Sequence, residues 1–232
     1  MSQPPILSFP LLVPLLLAVV VHFVPPPLAS LAASPEGVVD RLQASYQGIE
    51  DLEAKFVQRS TNRSIGQTLE ASGEVAMKKP GKVRWQYQSP EPRLIVSDGR
   101  TLWIYSPEDK QVIVQEAVDA FSLTSLSFLA GIGNLRSDFH IRPITHAGTR
   151  GLRQHLLELV PKKPAAGFTK MIVEVDPETF LIEKATLFDA YANMTSIVLE
   201  GLKINTSLPD SLFVFTPPPG VEIIKATQPI GR

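Results

Sequence analysis

Lys79 to Val112 reads KPGKVRWQYQSPEPRLIVSDGRTLWIYSPEDKQV, and strands and turns follow one another along it with almost no slack. Val83, Trp85 and Tyr87 alternate with Arg84, Gln86 and Gln88. A period of two places large apolar side chains on one face of a strand and polar ones on the other. Asp98-Gly99 stands between the apolar runs Leu94 to Val96 and Leu102 to Tyr105, and such a dipeptide supplies the positive φ of a tight hairpin turn. The next turn falls at Pro107 to Lys110. The stretch predicts an antiparallel meander with one buried face.

Upstream, Ser34-Pro35-Glu36 has the chemistry of a helix start: a capping hydroxyl, proline in the first turn and a carboxylate near the positive end of the dipole. Val38, Val39, Leu42 and Tyr46 then recur at helical spacing, predicting one amphipathic helix to about Gln47. Beyond Gly48 the period becomes two, with Leu52, Ala54 and Phe56 on one side and Glu53, Lys55 and Val57 on the other. A second strand carries Leu69, Ala71, Gly73, Val75 and Met77 and ends at the Lys79-Pro80-Gly81 corner, since proline cannot donate to a ladder.

After Gln115 the pattern breaks. Phe121, Leu123, Leu126, Phe128, Leu129 and Ile132 crowd a segment interrupted by Gly131 and Gly133, which reads as a short apolar helix in a connection. Strands resume near Phe139 to Arg142, Gln154 to Val160, Thr169 to Val175, Phe180 to Phe188 and Met194 to Ile204. The total is about eleven strands, and a single antiparallel sheet of that size must curl, split or close. The tail from Pro217 to Gly220 is too rich in proline for a helix and is expected along a sheet edge.

The meander also resembles the centre of the LolA family, periplasmic carriers of lipoproteins. The similarity rests on Lys79-Pro80-Gly81, Arg84-Trp85-Gln86-Tyr87, Val96-Ser97-Asp98-Gly99, Leu102-Trp103-Ile104-Tyr105-Ser106-Pro107 and Gln111-Val112, with Phe56-Val57-Gln58 and Phe213 to Pro218 outside the meander. The resemblance implies a mainly β fold: an incomplete antiparallel barrel with a helical lid over an apolar cavity. The helix at Ser34 and the segment around Leu126 are the natural lid pieces. It also implies a chaperone that binds lipoprotein acyl chains, receives its cargo from an ATP-driven inner-membrane complex of the ABC type and delivers it to the outer membrane, where a LolB-like acceptor is a further partner. A monomer without cofactors is expected. The alternative is a binding protein of the same fold that senses lipid or lipoprotein and signals to a membrane partner.

Composition bounds these readings. The run from Ile6 to Val24 has no charged residue and leads to Pro25-Pro26-Pro27 and the small cluster Ala29-Ser30-Leu31-Ala32-Ala33, so residues 1–32 read as a cleaved signal peptide and 33–232 as one domain. Met1 to Pro5 contains no Lys or Arg, which leaves an uncleaved anchor as the other reading. The chain has no cysteine, which removes disulfides, thiol chemistry and acylation of the chain itself. A formal net charge of −1 without basic runs argues against nucleic acid. The four histidines, His22, His140, His146 and His155, show no metal-ligand spacing. No G-x-S-x-G elbow or phosphate loop is present, and Ser97-Asp98 reads as turn chemistry.

Leu42, Phe56, Trp85, Tyr87, Trp103, Leu126, Phe128 and Leu129 are the candidates for an acyl-chain cavity or its lid. On the residues alone, plain core packing is the better account of the aromatics, and it is the resemblance that turns the region, though not each residue, towards a cavity. The family commonly carries arginine where this chain has Lys79, at a corner thought to hydrogen-bond the lid. A lysine there keeps the charge but lacks the planar fork, so lid closure is assigned to Lys79 with Arg84, against the alternative of a simple exposed turn cation.

Overall fold

The computed structural model describes residues 35–117, 135–144, 154–163 and 167–226. Helix α1 spans Pro35–Gln47, and the strands that follow are β1 (Asp51–Asn62), β2 (Gln67–Lys78), β3 (Lys82–Ser89), β4 (Arg93–Asp98), β5 (Thr101–Ser106) and β6 (Gln111–Glu116). A helical turn α2 (Leu135–Asp138) precedes β7 (Phe139–Pro143), β8 (His155–Pro161), β9 (Lys170–Val175), β10 (Ile182–Phe188) and β11 (Met194–Ile204). A 3-10 turn at Asp210–Phe213 and the short β12 (Glu222–Lys225) complete the described chain. The helix and strands lie where the periodicity predicts them, within about two residues at each end. The expected helix around Leu126 lies outside the described residues, as does Ser34.

All twelve strands form one open sheet in the order β12-β6-β5-β4-β3-β2-β1-β11-β10-β9-β8-β7. Neighbours are antiparallel except β12, which lies parallel to β6 with Glu222 opposite Gln111. This edge strand is the one beyond the eleven read from the sequence, and it is where the proline-rich tail was expected to run. Among the described residues no helix is long and apolar enough to cross a membrane.

Register sorts the side chains into two faces, because successive residues of a strand point opposite ways. On the inner face Ala54 pairs with Val75, Val75 with Trp85, Trp85 with Ile95, and Ile95 with Ile104. On the other half of the sheet Leu157 pairs with Val173 and Val173 with Ala185. Apart from Ile104, these residues and the apolar side of α1 form one hydrophobic cluster whose buried members reach from β3 to β8. Val38, Val39, Leu42 and Tyr46 are the helix's contribution, each buried, at the spacing that brings one helical face round.

Gly73 explains how the aromatics fit. It sits opposite both Phe56 and Tyr87 in the strand between them. A Cβ there would come within 1.9 Å of the Gln86 carbonyl oxygen and 3.0 Å of the Phe56 ring. The missing side chain lets the Phe56 ring approach Tyr87 edge-on at 5.0 Å and Trp85 at 4.8 Å, spacings at which aromatic pairs attract.

The outer face is covered by the tail. Beyond β11 the buried Asp51 carboxylate accepts the backbone N–H groups of Thr206 (2.7 Å) and Leu208 (3.1 Å). Lys78 and Lys82 each reach Asp210 at 2.7 Å, and Lys78 also donates to the Leu208 carbonyl. Phe213 is fully buried beside Ala76, and Phe215 packs on Trp103 and Tyr105 at 6.4 and 5.6 Å. The tail thus straps across β2 to β5 before pairing with β6. Beneath that half of the sheet's outer face, Val96 and Val112 are completely buried.

Two outcomes are expected. Gly73→Ala forces the β2–β3 backbones apart and should destabilise the fold by about 2–4 kcal/mol in urea titration. The hydrogen bonds from Lys78 and then Lys82 hold the Asp210 carboxyl down at about 2, against an ordinary value of about 4. A depressed carboxylate contributes stability above its unfolded value and loses it as pH falls towards the folded one. Tail docking, followed by Trp103 fluorescence, should therefore weaken between about pH 4 and pH 2, and Asp210→Asn should weaken it already at neutral pH and remove that pH step.

Candidate functional site

The inner face and the helix across it form the candidate site. Leu42, Phe56 and Trp85 are buried there and Tyr87 is half-buried against the same cluster. The Tyr87 hydroxyl donates to Gln58 Oε1 at 2.9 Å, and burial pushes its phenol above the ordinary value despite the opposing charge of Arg93. The buried Trp85 indole N–H has no well-formed hydrogen bond among the described residues, the Tyr87 hydroxyl being at most a weak acceptor. A buried unsatisfied donor costs about 1–3 kcal/mol unless a ligand or water accepts from it.

Two of the sequence candidates belong elsewhere. Trp103 pairs with Val96, and Val96 with Arg84, so Trp103 and Arg84 share the outer face, one residue out of phase with Trp85 and Ile104. Trp103 stacks on the tail through Phe215. Arg84 donates to the Leu212 carbonyl at 3.4 Å and to Gln86 Oε1 at 3.2 Å, holding the strap rather than the helix. Arg84 and Trp85 are adjacent in the chain, and the strand alternation that buries one turns the other away. Leu126, Phe128 and Leu129 lie outside the described residues.

Lys79 is no simple surface cation. Its Nζ donates to the carbonyl oxygens of Tyr46 (2.8 Å) and Gln47 (3.0 Å), the last two residues of α1. A cation there satisfies orphan carbonyls and complements the negative end of the helix dipole. Asn205 completes the fastening, accepting from Glu50 N–H at 2.7 Å and donating to the Gly48 carbonyl at 3.1 Å. Asn205 holds φ at +55°, a conformation asparagine tolerates better than most residues. The sequence offered no signal for this contact, since Asn205 is 157 residues from Gly48. The Tyr46 hydroxyl accepts the Ile182 N–H at 3.1 Å. Burial drives its phenol well above the ordinary value, against the pull of that backbone donor.

Nearer the helix start, Asp40 accepts from Arg136 Nε at 2.9 Å, Gln43 Oε1 accepts the Leu135 N–H at 3.0 Å, and Arg41 lies over the Phe180 ring at 5.1 Å. The helix is thus held at both ends, by Lys79, Asn205 and the Tyr46 hydroxyl at its C-terminal end and by α2 and Phe180 nearer its start.

The outer face offers a groove of about 610 Å³ beside the strap. Glu53, Lys55, Glu74, Arg84, Glu200 and Lys203 line it, and Lys203 pairs with Glu53 at 3.0 Å. Six charged groups make it a poor place for hydrocarbon. The apolar inner face is the one chemically suited to acyl chains.

The family model described as outer membrane lipoprotein carrier protein LolA matches residues 47–216. The chain belongs to the LolA family. Among its relatives, the outer-membrane lipoprotein carrier protein of Dechloromonas aromatica is 30% identical over 188 residues, which cover 81% of this chain and 88% of that protein. The protein of the same description from Chromobacterium violaceum is 33% identical over 197 residues, 84% of this chain and 92% of that one. The crystal structure of an uncharacterized conserved protein from Thermus thermophilus matches with a TM-score of 0.52 at 14% identity, covering 84% of this chain and 100% of that chain, and so shares the fold.

Replacing Lys79 by Met leaves the last α1 carbonyls without their cation and should cost about 1–2 kcal/mol. Hydrogen exchange should report the loss as faster exchange at residues 42–48 with the central strands unchanged. Lys79→Arg should keep the helix at least as well protected.

Proposed function

We propose that this LolA-family chain is a periplasmic chaperone that binds the acyl chains of lipoproteins and carries them from the inner to the outer membrane. The observation that carries the reading is an apolar sheet face covered by a helix, in a chain of the LolA family. One acyl chain exposes on the order of 10 kcal/mol of apolar surface at roughly 0.8 kcal/mol per CH₂. A carrier has to cover that surface and later release it. Displacing α1 from the inner face would uncover apolar side chains for cargo, and the free energy needed to move it lowers the net affinity to a level compatible with handover. Leu42, Phe56, Trp85 and Tyr87 are the residues proposed to contact acyl chain, and Lys79 is proposed to bias the helix towards the closed position.

Residues 1–32 are proposed as the leader that addresses residues 33–232 to the periplasm. An inner-membrane ABC-type complex is the proposed donor and a LolB-like protein the proposed acceptor. The family membership and the absence from the sequence of a nucleotide-binding motif favour a passive carrier over an enzyme.

The test is native mass spectrometry of the protein recovered from the periplasm of cells expressing a tagged lipoprotein. A one-to-one complex is expected with the acylated lipoprotein and none with its Cys-to-Ser form. Equal recovery of both forms, or of neither, would sink the carrier reading and favour a sensor of lipid. Lys79→Met should increase the fraction of protein loaded with cargo.

A further inference from the structure

Two hairpin turns at the end of the sheet opposite Lys79 hold apolar side chains in solvent. Ile65 is 69% exposed, Leu69 63%, Tyr191 81% and Met194 40%. They belong to adjacent strands: Thr61 pairs with Met194, and the Arg63 N–H donates to Asn193 Oδ1 at 2.9 Å between the β1–β2 and β10–β11 turns. Each turn is braced internally. Asn62 Oδ1 accepts the Ser64 N–H at 3.0 Å, and Asp189 Oδ1 accepts the Tyr191 and Asn193 N–H groups at 2.8 Å. The β1–β2 hairpin also overhangs its neighbour, because the first β2 residue paired with β3 is Ser72.

Charge at this double tip is mixed, with Arg59 and Arg63 against Glu70 and Asp189. Glu70 is neutralised by Arg59 at 2.8 Å, and the Asp189 carboxylate is engaged by its own turn and by Asn193 Nδ2. The exposed Arg63 guanidinium has no ion-pair partner among the described residues. Two aliphatic residues, a tyrosine, a methionine and an exposed arginine without an ion pair of its own suit the headgroup region of an anionic bilayer, where phosphate can accept from the guanidinium. Tyrosine is favoured at that depth, and cations gain from the surface potential. Leu69 faces the same side of the sheet as Phe56, being paired with Ser60, and burial along β1 falls from Leu52 to an exposed Asn62. Leu69 therefore continues the inner face into the tip, while Met194, paired with Thr61, stands on the other side of the sheet.

We propose that the paired tips are a membrane-interface contact: Ile65 and Tyr191 enter the headgroup region of an anionic bilayer, and Arg63 meets lipid phosphate. Resting on the carrier reading, this gives the site an orientation, with the end of the inner face that carries Leu69 towards the bilayer that holds the acyl chains. So small an apolar footprint gives only transient attachment, which suits a protein that must leave with its cargo.

Because the chain has no cysteine, single sites can be labelled. Protein from the periplasmic fraction, carrying an environment-sensitive probe on Ile65→Cys, Tyr191→Cys or, at the far end, Arg100→Cys, is mixed with phosphatidylethanolamine vesicles containing phosphatidylglycerol and spin-labelled lipid. Blue-shifted, quenched emission is expected at 65 and 191 and not at 100. The Ile65→Ser/Tyr191→Ser double variant should lower vesicle partitioning about tenfold, and Arg63→Gln should abolish its dependence on phosphatidylglycerol. Equal signals at all three positions, no partitioning, or shielding of 65 and 191 only when a protein partner is added would overturn the proposal. Binding of a synthetic acylated lipopeptide by wild type and double variant alike separates the two readings: if it persists while vesicles are ignored, the membrane contact falls and the carrier stands. If wild type fails to bind the lipopeptide, the carrier reading falls.

Discussion

An open sheet of twelve strands has two faces to cover, and the protein depends on covering them differently. The outer face of the β2 to β5 half is closed by its own tail, fixed by Asp51, by the Asp210 ion pairs and by the fully buried Phe213. The inner face is covered by α1, whose apolar side is buried and whose polar contacts lie at both ends. Strap and helix thus divide the work: one face is stapled by the chain's own tail, and the other is closed by a single amphipathic helix.

That asymmetry gives the electrostatics of α1 a mechanical meaning. The terminal carbonyls of a helix need partners, and here a lysine at the β2–β3 corner provides them. Lysine holds the helix as a flexible point charge, without the planar bidentate geometry of arginine. The hold on the helix end here therefore rests on a point charge, with Asn205 and the Tyr46 hydroxyl sharing it. Trp85 belongs to the same apolar cluster, and its indole N–H has at most a weak interaction with the Tyr87 hydroxyl among the described residues.

The paired hairpin tips lie at the other end of the long strands. β1 has twelve residues, which at about 3.3 Å per residue separates the Lys79 fastening from Ile65 by nearly 40 Å. The helix clasp and the exposed apolar tips therefore do not compete for the same surface, and the inner face runs between them.

Most of this architecture was written in local patterns. The period-two alternation of Val83, Trp85 and Tyr87, the helical spacing of Val38, Leu42 and Tyr46, and the turn chemistry of Asp98-Gly99 depend on near neighbours and on backbone sterics, so the sequence by itself determined the elements, their order and the side of each strand that is apolar. The cavity or lid candidate Trp103 and the lid-closure candidate Arg84 lie on the outer face, because alternation fixes relative phase within a strand, while pairing between strands decides which side meets the core. The strand register supplies that answer, pairing Trp103 with Val96 and Val96 with Arg84. The partners of Lys79, the Asn205 clasp and the strap over β2 to β5 join residues from about 30 to more than 150 positions apart, and only the tertiary structure decided them. Such contacts exist once the chain has folded and the ends of α1, β2 and β11 have been brought to one corner, and no local signal in the sequence encodes that meeting.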